Sequence, residues 1–135
     1  MGAWGALAFD NDDANDWAYD LDQTNDLSLI DSAIHDVESI GDQYLEQGIA
    51  CNALAACEVL ARLRGRPGYT NAYTEKVDRW VAAHQIEPPA QLIDRAAAAI
   101  DRILQGDSEL RELWDEAEPE PWQRAVVDLR ARLAA

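Results

Sequence analysis

The chain has 135 residues, of which 48% are hydrophobic, and a formal net charge of −15 at pH 7. This length and apolar content allow one domain with one core, which we place over residues 1–135. So negative a surface disfavours nucleic-acid backbones and anionic membranes as partners, because both would repel it.

Helix-forming patterns follow one another along the chain, with almost no strand signal between them. Asp10 or Asn11 can cap a first helix that ends near residue 21. Apolar residues at three- and four-residue spacing predict a second helix over about 27–39. The segment 46–64 is apolar on nearly every face, so it is predicted to be a central, buried helix.

The later helices are marked by their caps and by proline. Gly65 should end the central helix, and Thr70 should cap a fourth helix that carries Tyr73 toward the core. A fifth and a sixth helix follow near residues 90 and 109, and Pro119 and Pro121 break the chain before a seventh. These elements predict an all-α, single-domain bundle of about six to seven helices around the central helix.

The acidic residues are concentrated before the first basic residue, Arg62. Thirteen carboxylates precede it: Asp10, Asp12, Asp13, Asp16, Asp20, Asp22, Asp26, Asp31, Asp36, Glu38, Asp42, Glu46 and Glu58. Cations are expected to offset so dense a negative charge, and a basic protein partner is one candidate source of them. The first two helices would present the docking residues Asp12, Asp13, Asp16, Asp31 and Asp36. In the internal alternative, the acids are neutralised by Arg95, Arg102, Arg111 and Arg124.

One acidic stretch has the spacing of a calcium-binding loop. The oxygen-ligand positions of an EF-hand are matched by Asp20, Asp22, Thr24, Asp26, Ser28 and Asp31. Asn25 replaces the turn glycine of such loops, and Asp31 replaces the bidentate glutamate. Two interpretations of this stretch are therefore open: Asp20, Asp22, Asp26 and Asp31 bind calcium, or these residues cap helices and face the solvent.

Glu58 is a carboxylate within the most apolar helix. It must be paired or protonated, because burying an isolated charge is costly. Arg62, four residues on, is one candidate partner. The N-terminal leader or the Trp4 indole is another, and would tie the N-terminus to the core. A catalytic general base would need a cleft and a second group that the sequence does not show.

The N-terminal leader combines glycine, aromatic and acidic residues in an ordered way. It reads Gly2-Ala3-Trp4-Gly5 and then Asn11-Asp12-Asp13-Ala14-Asn15-Asp16-Trp17. Glycines beside a tryptophan let the backbone approach the core closely. We therefore expect Trp4, Phe9 and Trp17 to be buried as one cluster that fastens the leader.

These motifs, Gly-x-Trp-Gly followed by Asn-Asp-x-Ala-x-Asp-Trp, resemble the N-terminal pattern of the bacterial domain-of-unknown-function family 4259. The stretches 53–63, 108–114 and 129–133 also look like that family, so the resemblance covers most of the chain. It implies a small, cytoplasmic bacterial protein, and a start without a signal-peptide pattern agrees with that expectation. The family name assigns no activity, so the resemblance carries over no catalytic residue.

Two classes of function remain. An interaction module, immunity-like or antitoxin-like, would neutralise a basic protein and fits both the acidic segment and the lack of nucleophile motifs. The alternative is a metal-binding or carboxylate-dependent enzyme domain that uses the Asp-rich first half. Because no motif specifies a reaction, the non-enzymatic role is favoured.

Cys51 and Cys57 are out of phase on one helix, so they cannot bridge each other, and we expect buried, reduced thiols.

Overall fold

A computed structural model describes residues 3–134, so Met1, Gly2 of the leader motif and Ala135 lie outside the described residues. The described part contains seven α-helices and one 3₁₀ helix, Ala72–Thr74. The α-helices are α1 (Asp12–Leu21), α2 (Ser28–Ile40), α3 (Gln47–Leu63), α4 (Glu75–Ala83), α5 (Ala90–Leu104), α6 (Glu109–Glu116) and α7 (Pro119–Ala134). The predicted all-α bundle is therefore confirmed.

Helix α3 is the centre of the bundle, as its sequence predicts. It packs against each of the other six α-helices of the described chain. Leu54 and Leu60, which point to different sides of α3, are both buried. Much of the helix surface is alanine, and such small side chains let neighbouring helix axes approach closely.

The end of α3 is fixed by a backbone motif that the sequence predicts. Gly65 has a φ of +79°, a conformation that a side chain would strain. Its N–H donates to the Arg62 carbonyl, and the N–H of Arg66 donates to the Ala61 carbonyl, both at 2.9 Å. These two bonds form a Schellman motif, which satisfies carbonyls that the helix end would otherwise leave unpaired.

The leader is fastened by Phe9, and the expected burial of Trp4 is wrong. Phe9 is fully buried and Trp17 is nearly so, but the Trp4 side chain is 49% exposed. An isolated bridge between Ala3 and Asn11 folds the leader back on itself, so Trp4 lies on its outer side. There the indole contacts the ring of Tyr73, with 5.1 Å between the ring centroids.

Two hydrogen bonds hold the backbone of Phe9 in place. Its N–H donates to the Tyr69 hydroxyl at 3.2 Å, and its carbonyl accepts from the Asn15 side chain at 2.8 Å. Asn11 caps α1 as predicted, because its side-chain oxygen accepts from the Ala14 N–H at 2.8 Å. The leader is thereby joined both to α1 and to the segment that follows α3.

Three finer expectations about the later helices need correction. Thr70 does not cap α4: Asn71 caps the 3₁₀ helix that precedes it, through a capping box with Thr74. Tyr73 is 47% exposed, because that 3₁₀ turn directs it away from the core. Pro119 and Pro121 lie within the first turn of α7, where their missing N–H groups cost no helical bond.

We predict that Phe9→Ala lowers the free energy of unfolding by about 3–5 kcal/mol, because it empties a fully buried site. Trp4→Ala is the control, since it removes a side chain of similar chemistry from a half-exposed site. Its cost should stay below about 1 kcal/mol. Urea denaturation of both variants checks this, and equal costs would contradict the placement of the two rings.

Candidate functional site

The exposed face of α1 carries a stripe of carboxylates. Asp12, Asp16 and Asp20 follow one another at four-residue spacing, Asp13 lies beside them, and all four are exposed. Tyr19 belongs to the same stripe and is 62% exposed. Asp12 and Asp13 occupy the first turn of the helix, where the helix dipole favours negative charge.

On α2 one predicted docking residue is already occupied. Arg95 of α5 donates to Asp31 at 2.9 Å and to both oxygens of Glu38 at 2.9 Å. These hydrogen bonds from Arg95 hold the pKa of Glu38 below its ordinary value. Asp31 therefore serves the α2–α5 contact, and is a weaker docking candidate than the sequence indicates.

The other arginines of the internal alternative do not reach the acidic helices. Arg102 donates to backbone carbonyls of residues 41, 43, 106 and 107. Arg111 and Arg124 pair with acids of their own helices, Asp115 and Glu120. Among residues 3–134, no ion pair engages Asp12, Asp13, Asp16 or Asp36.

The two acidic helices do not pack side by side. Each lies against α3, but α1 also contacts α4 whereas α2 contacts α5, and the two hardly touch each other. Asp36 of α2 therefore belongs to a separate stripe from that of Asp12, Asp13 and Asp16. The α1 stripe is the denser of the two.

The calcium-loop residues are used for local hydrogen bonds. Asp26 accepts from the Ser28 hydroxyl at 2.6 Å, and these bonds from Ser28 lower the pKa of Asp26. The Thr24 hydroxyl donates to the Leu21 carbonyl at 2.8 Å. Asp20 and Asp22 are exposed, and Asp31 binds Arg95. Over residues 3–134, no three His, Cys, Asp or Glu side chains are grouped so as to hold a metal ion.

Glu58 lies at the centre of a buried ion network. Arg62 donates to Glu58 Oε1 at 2.6 Å, which confirms the partner predicted four residues away. Arg132 of α7 binds both carboxylate oxygens, at 2.7 and 2.9 Å. The Glu58 and Arg62 side chains are each 2% exposed, and that of Arg132 is 15% exposed. The leader and Trp4, the alternative partners of Glu58, supply none of these hydrogen bonds.

The network extends from Glu58 into three further segments. Arg62 also donates to Asp78 of α4 at 2.9 Å and to the Tyr69 carbonyl. Arg132 also donates to Asp128 at 2.8 Å. Burial alone would lower the pKa of Arg132, but the hydrogen bonds to Glu58 and Asp128 raise it above its ordinary value. Helices α3, α4 and α7 are thus joined through charged groups that satisfy one another.

A glycine makes room for this network. A β-carbon on Gly68 would lie 2.5 Å from the guanidinium carbon of Arg132. Any larger residue would therefore push Arg132 away from Glu58. A cavity of about 90 Å³ adjoins the network, between the leader, Tyr69 and the tryptophans Trp114 and Trp122. That volume can hold a few water molecules.

The two cysteines are buried and unbridged, as expected. Burial raises the pKa of the Cys51 thiol to about 12, and the nearby carboxylates of Asp13 and Glu109 act in the same direction. Burial likewise raises the pKa of Cys57. Neither thiol forms an appreciable amount of thiolate near neutral pH, and the thiolate is the reactive species.

An exposed aromatic group lies beside the acidic stripe of α1, and the sequence reasoning missed it. Tyr19 and Tyr73 line one groove of about 180 Å³, and Trp4 packs on the Tyr73 ring. The Lys76 ammonium lies over the Tyr19 ring, 4.0 Å from its centroid. The helical periodicity of α1 places Tyr19 on the outer face of that helix. That periodicity was the signal from which the exposure of Tyr19 could have been predicted.

These features define a small all-α protein with a buried ion network at its centre and an acidic, aromatic surface on its first helix. The chain belongs to the family described as "Domain of unknown function (DUF4259)", whose model matches residues 2–125. This match confirms the family that the sequence resemblance indicated. No curated protein and no solved structure matches the chain. Within the described helices, none is both long and apolar enough to cross a membrane.

We predict that Glu58→Gln lowers the free energy of unfolding by about 3 kcal/mol, because Arg62 and Arg132 lose their shared charged acceptor while Arg62 stays buried. A double-mutant cycle with Arg132→Gln should give a coupling of about 1–3 kcal/mol. The matched cycle on the exposed pair Glu120 and Arg124 should give little coupling. A Glu58–Arg132 coupling as small as that of the surface pair would count against the network.

We predict that neither cysteine reacts with Ellman's reagent in the native protein at pH 8. Because burial raises both pKa values, the native state holds protonated thiols at that pH, whereas thiols of the unfolded chain, with their ordinary pKa of 9.0, are about one-tenth ionised there. In denaturant both should react, giving two thiols per chain. Rapid labelling of the folded protein would show that a thiol is accessible and more acidic than its burial implies.

Proposed function

We propose that this protein is a non-enzymatic interaction module that binds a basic protein through the acidic stripe of α1. The proposal is carried by one observation: Asp12, Asp13 and Asp16 are exposed and have no ion-pair partner among residues 3–134. Internal neutralisation would have made a cationic partner unnecessary. Of the four arginines considered for it, Arg95 binds Asp31 and Glu38 on α2, and the other three bind outside α1.

Electrostatics explains why such a stripe favours docking. Like charges on neighbouring turns of one helix repel each other, and a cationic surface relieves that repulsion. The same field steers a basic partner toward α1 before contact, which raises the association rate. An immunity-like or antitoxin-like role, in which a small acidic protein neutralises a basic one, is the kind of function that this chemistry suits.

We predict that the protein binds an octa-arginine peptide with an association rate that falls steeply with salt. The screening length shrinks from about 30 Å at 0.01 M to about 8 Å at 0.15 M salt, so steering is lost over that range. The triple variant Asp12→Asn, Asp13→Asn, Asp16→Asn should associate about tenfold more slowly at low salt. Stopped-flow fluorescence measures the rates, and thermal melts verify that the variant is folded.

The matched control removes three exposed carboxylates elsewhere, as Glu87→Gln, Glu116→Gln and Glu118→Gln. It makes the net charge less negative by the same amount but leaves α1 intact. If the control slows association as much as the α1 variant does, only the total charge matters and the α1 stripe is not the docking surface. If octa-arginine does not bind at all, the proposed function fails.

A further inference from the structure

The groove beside the acidic stripe already holds a cation. Lys76 is the only lysine of the chain, and its ammonium lies over the face of the Tyr19 ring at 4.0 Å from the centroid. No carboxylate forms an ion pair with Lys76 in the described part of the chain, although α1 is rich in acids. The ring face is therefore the contact that positions this charge.

The groove also has the composition of a contact hot spot. Tyr19, Tyr73 and Trp4 are 62%, 47% and 49% exposed, respectively. Large aromatic side chains exposed together are uncommon on a monomer surface, and they are the residues that carry most binding energy at interfaces. Trp4 lies beside the groove on the Tyr73 ring, and Glu75 and a second cation, Arg79, line the groove itself. The carboxylates of the adjoining acidic stripe supply the complementary charge for a cationic group that docks on the rings.

We infer that an arginine side chain of the basic partner docks in this groove, over the Tyr19 ring and in place of Lys76. This inference rests on the proposed function, and it names the point on α1 where that partner is anchored. A guanidinium is planar, stacks on an aromatic ring, and can at the same time bind a carboxylate through two parallel hydrogen bonds. Glu75, which lines the groove together with Tyr19 and Lys76, offers such a carboxylate. Lys76 can only supply a point charge, so it is a replaceable occupant.

Two charge-matched variants test the displacement of Lys76. Lys76→Gln and Arg124→Gln each remove one positive charge, but only the first empties the groove. We expect Lys76→Gln to bind octa-arginine about fivefold more tightly than Arg124→Gln does. Equal affinities would mean that the peptide responds to net charge alone, which would overturn the inference and leave the proposed function standing.

Two matched tyrosine variants test the ring itself. Tyr19→Leu keeps an apolar side chain but removes the aromatic face, and Tyr44→Leu makes the same change at an exposed site on another segment. We expect Tyr19→Leu to weaken octa-arginine binding about fivefold and to leave its salt dependence unchanged, whereas Tyr44→Leu should have little effect. Octa-lysine, which cannot stack, should bind the parent protein more weakly than octa-arginine. Equal effects of the two tyrosine variants would exclude the Tyr19 ring as the anchor.

Lys76 provides a direct readout, because it carries the only side-chain amine of the chain. After reductive methylation with ¹³C, its NMR signal should be displaced by the ring current of Tyr19. On addition of octa-arginine, the signal should move to the position of a solvent-exposed methylated lysine. A signal that stays in place while the peptide binds would overturn the inference. Absence of binding by any basic peptide would instead remove the proposed function, and this inference with it.

Discussion

A carboxylate in the middle of the most apolar helix is the constraint on which the bundle depends. Glu58 can be buried on α3 only if cations surround it. Arg62 comes from the same helix and binds one oxygen, so a second guanidinium is needed for the other. Arg132 supplies it, 74 residues further along the chain. Sliding α7 by one turn would leave charges unpaired in the interior, so the network selects one register of α7 on α3. A glycine is then needed at position 68, because Arg132 occupies the space that a side chain there would fill.

The same chain distributes its positive charge unevenly. Arg62 and Arg132 are bound at Glu58, Arg95 is bound on α2, and Arg130 pairs with Asp101 through two hydrogen bonds. Arg102 joins two loops through carbonyl oxygens instead of neutralising acids. Much of the positive charge is thus fixed in contacts that hold the bundle together. No ion pair among residues 3–134 engages Asp12, Asp13 or Asp16 of α1, so the negative surface of this helix is a consequence of the architecture as well as of composition.

Local patterns were enough to predict the helices, and they failed where distant segments meet. The apolar faces of α3, the Asn11 cap and the Gly65 stop are properties of a few neighbouring residues, and each is found as expected. Arg132 as a partner of Glu58 could not be seen, because no local rule relates residues so far apart in sequence. The predicted burial of Trp4 was wrong for a related reason. Its type favours burial, but the turn of the leader, closed by the Ala3–Asn11 bridge, decides which way it points.

The α1 surface combines two interactions of different range, and each does what the other cannot. Charge acts over several ångströms and raises the rate of encounter, but it is screened by salt and discriminates poorly between basic partners. An aromatic face acts only at contact, and it distinguishes a planar guanidinium from an ammonium. Tyr19 lies within the stripe of Asp12, Asp16 and Asp20, so a partner guided to the carboxylates arrives at the ring. Because the ring already holds Lys76, a non-cationic side chain docking there would have to displace a favourable contact without replacing it, and this selects for a cation.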